Sequence, residues 1–188
     1  MVQVSYNGGM YALASKLIGL PILSLQNAET LTVVTGLVLN SDTLEVVALS
    51  CAPQPRLGTH PIILMRDIRQ VAIDCLLVNA EEDIAEADDI VRLAPLIKAN
   101  FNPRGLRVVT DMKRRIGKVE DFTVNLESFN LQKIYVRQPL LRSWAGASLI
   151  IDRGQIVKVT KREIIVREST LLATSRKSDR AGLPYHST

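Results

Sequence analysis

The feature that most constrains this chain is that it carries one pattern twice. GLPILSL (residues 19–25) is matched by GLRVVTD (residues 105–111). LTVVTGLVLNSDTLEV (residues 31–46) is matched by IGKVEDFTVNLESFNL (residues 116–131), and IRQVAIDCLLV (residues 68–78) by IVKVTKREIIV (residues 156–166). The offset runs 86, 85 and 88. Drift that small corresponds to short loop insertions within one architecture that occurs twice, so any fold proposed for one copy must serve the other.

Each copy reads as about six short strands. In the second copy they fall near residues 106–110, 116–126, 131–137, 148–151, 155–160 and 163–166. Phe122, Val124 and Leu126 alternate with Thr123 and Asn125, the period of a half-buried strand,. NLESF turns the chain, because Asn, Glu and Ser side chains compete locally for backbone hydrogen bonds,. DRG at residues 152–154 marks a tight turn,. The first copy repeats this order with NSDT at the hairpin turn and MRD at the later one. Alternating strands with turns every 6–12 residues predict an all-β chain whose two copies each form a small antiparallel six-stranded barrel or sandwich,. The expected boundaries are an N-terminal extension (1–16), a first barrel (17–80), a short acidic helical linker (81–100), a second barrel (101–168) and a flexible tail (169–188). Asn79 is a candidate cap for the linker, and Pro95 divides it into two short pieces,.

Charge separates the copies. Residues 1–100 hold 6 Lys/Arg against 11 Asp/Glu, and residues 101–188 hold 17 against 8. A basic second half directs attention to acidic partners: an acidic protein patch, RNA or an anionic lipid surface. No apolar run reaches the roughly 20 residues of a bilayer-spanning helix, and the first residues lack the basic and apolar regions of a secretion signal. The expected location is therefore cytoplasmic, at most peripheral to a membrane. Cys51 and Cys75 stand in apolar surroundings, as buried free thiols do,.

No arrangement of residues supports catalysis. His60 and His186 are the only histidines, and neither has a third ligand at metal spacing,. No Gly-rich loop opens a helix to hold phosphate, and no Ser lies in a nucleophile elbow. The acidic runs at residues 81–83 and 88–89 suit a helix start better than a converging acid–base pair. The expectation is a non-enzyme with no catalytic residue, metal or cofactor. What remains is surface: the basic turn of Lys113, Arg114 and Arg115 with Lys118, and Trp144 beside Arg142 in a loop, a combination that suits an interface anchor,.

The ordered set GLRVVTDMKRRIGKVEDFTVN followed by LIIDRGQIVKVTKREIIVRE resembles a PRC-barrel domain. The first copy resembles the same domain more weakly, with Thr32 where the second has Gly117 and Gly36 where it has Asp121. The resemblance implies a compact β-barrel used as a binding module. Similar domains form the cytoplasmic part of the reaction-centre H subunit and the C-terminal domain of ribosome-maturation factors. It implies a non-catalytic adaptor or assembly factor that binds other proteins, serving a photosynthetic or other membrane complex. The alternative is an RNA-processing or ribosome-assembly factor that binds through the basic second copy.

Overall fold

A computed structural model describes residues 11–139 and 148–168. The described residues are mostly β, with fourteen strands in two seven-stranded sheets. Strands β2 (Pro21–Ser24), β3 (Thr30–Leu39), β4 (Val46–Cys51), β5 (Pro61–Leu64), β6 (Gln70–Val71) and β7 (Leu76–Val78) come from the first repeat. Strands β9 (Arg107–Thr110), β10 (Arg115–Asn125), β11 (Leu131–Arg137), β12 (Ser148–Asp152), β13 (Ile156–Val159) and β14 (Glu163–Val166) come from the second. The six expected strands of the second copy are therefore present, close to the expected bounds.

Both sheets share one order, β6-β7-β2-β3-β4-β5 and β13-β14-β9-β10-β11-β12. In each, a single parallel pairing, β2 with β7 and β9 with β14, interrupts an otherwise antiparallel set. Among the described residues neither sheet closes on itself by strand pairing. Each gains a seventh strand from outside its repeat. Strand β8 (Ile84–Glu86) pairs with β5, and β1 (Tyr11–Leu13) crosses to the other sheet and pairs with β10. The short helix α1 (Ala14–Leu17) follows β1.

The repeats are related by a local twofold. Val46 N–H donates to Phe129 O at 2.8 Å, and Leu131 N–H donates to Leu44 O at 2.9 Å. Glu45 and Asn130 bridge between them. These bonds exchange when each residue is replaced by its counterpart 85 positions away, so the axis passes between the two hairpin tips. Local geometry repeats as well. The Asn40 side-chain oxygen accepts from the Asp42 and Thr43 N–H groups, and Asn125 accepts from Glu127 and Ser128 in the same way. Leu44 (φ 56°) and Phe129 (φ 55°) both occupy the left-handed region. Large side chains seldom do so, and here the turn places them where the tips clasp.

The buried cluster runs through both repeats and includes Leu17, Ile22, Leu49 and Ile63 with Phe122, Ile134, Ile151 and Ile164. Burying each such side chain contributes about 1.5–3 kcal/mol, so the shared core is the main stabilising term.

The linker is only partly helical. It consists of 3-10 turns at Glu81–Asp83, Ala87–Asp89 and Val91–Leu93, the strand β8, and one helix, α2 (Ala94–Ala99). Pro95 lies in the first turn of α2, where its missing N–H costs nothing,. Asn100 ends the helix in the left-handed region at φ 43°,. Ala87, Leu93, Leu96 and Ile97 pack on Val38, Ala48, Ile62 and Leu64 in a second apolar cluster. The linker thus seals the outer face of the first sheet.

Candidate partner-binding face

Side chains alternate across a strand. On β11 and β12, Ile134 and Ile151 point inward and are fully buried. Lys133, Tyr135 and Arg137 on β11, with Ser148, Ile150 and Asp152 on β12, therefore point outward. Cross-strand register extends this face. Lys118 on β10 lies opposite Arg137 on one side and Arg107 of β9 on the other, and Arg107 lies opposite Glu163 of β14. One row, Glu163–Arg107–Lys118–Arg137–Ser148, spans five strands.

Carboxylates hold part of this charge in place. Arg107 lies 3.8 Å from Glu163, Lys133 lies 3.8 Å from Asp152, and Arg137 is hydrogen-bonded to Glu120. The Arg137 bond, helped by Ser148 Oγ, holds the Glu120 carboxyl below its ordinary value. Lys118 has no ion pair among the described residues. Tyr135 is half-buried, and Ile150 beside it is 49% exposed. The face thus combines a free cation, ordered arginines and an apolar side chain open to solvent.

The counterpart in the first repeat is different in kind. Ala48, Ile62 and Leu64 occupy the positions of Lys133, Ile150 and Asp152, and the linker covers them. Among the described residues, one fold thus presents a sealed apolar face in one copy and an open charged face in the other.

The structure separates the candidates named from sequence. Lys118 belongs to the open face. Lys113 sits at the β9–β10 turn in the left-handed region, φ 61°. Arg114 beside it bonds Glu168 at 2.6 Å. Glu168 is held below the usual carboxylate value, first by the Thr110 side chain and then by Arg114, so Arg114 serves to tie the turn to the chain after β14. Arg115 is exposed at the start of β10, opposite Val109. Arg142, Trp144, His186 and the expected flexible tail lie outside the described residues. Sequence reasoning missed Arg107, Tyr135, Arg137 and Ile150. Their signal was the strand alternation itself, which needs the register before it shows one face.

Other chemistry-bearing residues are accounted for by structure. Cys51 is buried, and that burial pushes its thiol up to about 12, against a smaller opposing effect of a backbone hydrogen bond from Ile63. Burial and then Asp74 raise Cys75. Neither is poised as a thiolate nucleophile. Spacing gave His60 no third ligand, but the β5–β8 pairing supplies candidates: the ligand atoms of His60, Glu86 and Asp88 lie within 4.8 Å of one another. Glu86 Oε1 already accepts from the His60 N–H at 2.8 Å and Thr59 Oγ1 at 3.1 Å, which tethers the loop to β8.

Among the described residues no helix is long and apolar enough to cross a membrane. No protein-family model matches the chain, and no curated protein matches it.

Proposed function

We propose that this protein is a non-catalytic adaptor or assembly factor, built from two PRC-type barrels, that docks an acidic partner protein on the outer face of its second sheet. The observation that carries the reading is the asymmetry between the copies: the linker seals the outer face of the first sheet, and among the described residues no segment covers the equivalent face of the second, which carries Lys118, Arg107, Arg137 and Ile150. An apolar residue set among ordered cations suits a protein interface. Three of the surrounding cations are already matched by Glu163, Glu120 and Asp152, which leaves less charge for phosphate contacts than a nucleic-acid surface uses,. The resemblance to PRC-barrel proteins supports a partner in a photosynthetic or other membrane complex.

The test is affinity capture from the native host, with and without nuclease, using the wild-type chain and Lys118→Glu. The reading predicts a discrete protein partner that survives nuclease and is lost with Lys118→Glu. Loss of every partner on nuclease treatment would move the function to RNA.

A further inference from the structure

The local twofold exposes a second recognition site, in the first repeat and separate from the open face. Strand β10 is covered beyond its β9 pairing by β1, in the register Tyr11↔Asn125, Ala12↔Val124 and Leu13↔Thr123. Just after β1, Ser15 locks onto Asp121, its N–H donating to Oδ1 at 3.3 Å and its hydroxyl to Oδ2 at 2.5 Å. The counterparts of Thr123, Val124 and Asn125 are Val38 and Leu39 of β3 and Asn40 just after it. Strand β2 pairs with β3 over Thr30–Val33 and no further, with one additional pair of backbone bonds at Val34. Among the described residues no strand takes the place that β1 takes on β10.

The segment that twofold symmetry would put there, the chain just before the second repeat, has become the end of α2 and the turn after it. It lies beside β3 without pairing. The result is a cleft of about 240 Å³ walled by the β3 backbone, Leu96, Ile97, Phe101 and Phe122. At the position of Asp121 it has Gly36, and Arg104 stands at its lip. Arg104 uses only Nε, toward Glu120 O at 3.3 Å, and has no ion pair among the described residues.

We infer that this cleft binds an extended segment of a partner protein, added antiparallel to β3, with a small apolar residue opposite Leu39 and an acidic residue toward Gly36 and Arg104. The occupant follows from what the chain itself does on the other sheet. Ala12, opposite Val124, is 2% exposed, so this edge selects a small side chain. Backbone pairing supplies affinity, and the alternate side chains supply specificity. Where Asp121 would repel a carboxylate, Gly36 gives it room and Arg104 gives it a cation.

The probe is a synthetic peptide of residues 11–18 of this chain, YALASKLI, carrying Ser15→Glu, titrated into the full-length protein and followed by backbone amide NMR. The expected result is saturable perturbation of the Val38 and Leu39 amides and about tenfold tighter binding than the unsubstituted peptide, a gain that Arg104→Ala removes. Gly36→Val should weaken binding at least about tenfold. A Cβ at Gly36 would lie 3.8 Å from Ser50 Cβ, an ordinary contact, so the backbone there accepts a side chain, and an unchanged urea midpoint for Gly36→Val is the control that its fold is intact. Perturbation centred on residues 123–125, where the peptide would merely displace β1, would overturn the inference. So would binding indifferent to Gly36→Val, or no binding at millimolar peptide. Partner capture lost with Lys118→Glu but retained with Gly36→Val would leave the open-face reading standing and this one refuted.

Discussion

Two glycine substitutions at the same backbone conformation should have opposite signs. Leu44 and Lys113 sit at φ 56° and 61°. Holding a non-glycine residue there costs roughly 1–2 kcal/mol, which glycine relieves. Against that, glycine adds about 0.4–1 kcal/mol of unfolded-state entropy to be lost on folding. For Lys113, exposed on its turn, nothing else changes, so Lys113→Gly should stabilise by roughly 0.5–1 kcal/mol,. Leu44 is only 6% exposed and packs in the shared core. Emptying such a site costs about 2–5 kcal/mol, which outweighs the relief. Leu44→Gly should therefore destabilise by about 2–4 kcal/mol, lowering the melting temperature by on the order of 10 °C. Phe129→Gly should follow Leu44→Gly in sign, as its counterpart across the twofold axis. The assay is urea unfolding of the four proteins under one buffer condition. A Leu44→Gly protein as stable as Lys113→Gly would refute the reasoning, because it would mean that the buried Leu44 side chain holds nothing in place.

Further outcomes follow from the same geometry. A Cβ at Gly117 would run into the Arg137 carbonyl oxygen of the neighbouring strand, so Gly117→Ala should cost about 1–3 kcal/mol in the same unfolding assay,. Glu120 and Glu168 are held below the ordinary value of 4.5, so their contribution to stability is present above that pH and is lost as pH falls through the lower folded values,. Glu168→Gln should accordingly flatten the acid limb of a stability–pH profile below 4.5 and weaken the protein at neutral pH. An aromatic disulfide reagent at neutral pH should leave Cys51 unmodified in the native protein and label it only after unfolding, because its thiol is buried and titrates near 12,.

The strands were legible because alternation is a local signal. Residues 131–137 and 163–166 were expected as strands and are strands, since Leu131, Ile134 and Val166 mark the buried face by themselves. What could not be read was anything that depends on two distant segments meeting. Tyr11–Leu13 has too few residues to show a period, and its role is fixed by β10, more than a hundred positions away. Ile84–Glu86 lies inside an acidic run that composition assigns to a helix start, and pairing with β5 overrides that local preference,. The open face had the same limit. Lys118 was visible in sequence, but Arg107 and Arg137 join it only through register, and Arg114 stands apart because Glu168 neutralises it. The substitution of Gly36 for Asp121 was visible in the aligned repeats. Its meaning, an unlatched edge beside a cleft, needed the twofold axis.

The central claim is that the two repeats form one unit around a shared core and a reciprocal pair of hairpin bonds. Native-state hydrogen exchange of the full chain tests it most directly, comparing the Leu49 amide with the Ile134 amide in the wild type and in Ile134→Ala. Ile134 is fully buried, so its truncation should remove about 2–5 kcal/mol,. The account predicts that protection falls by the same amount at Leu49 in the first sheet as in the second. Loss confined to the second sheet, with Leu49 unchanged, would contradict it and show two independent domains.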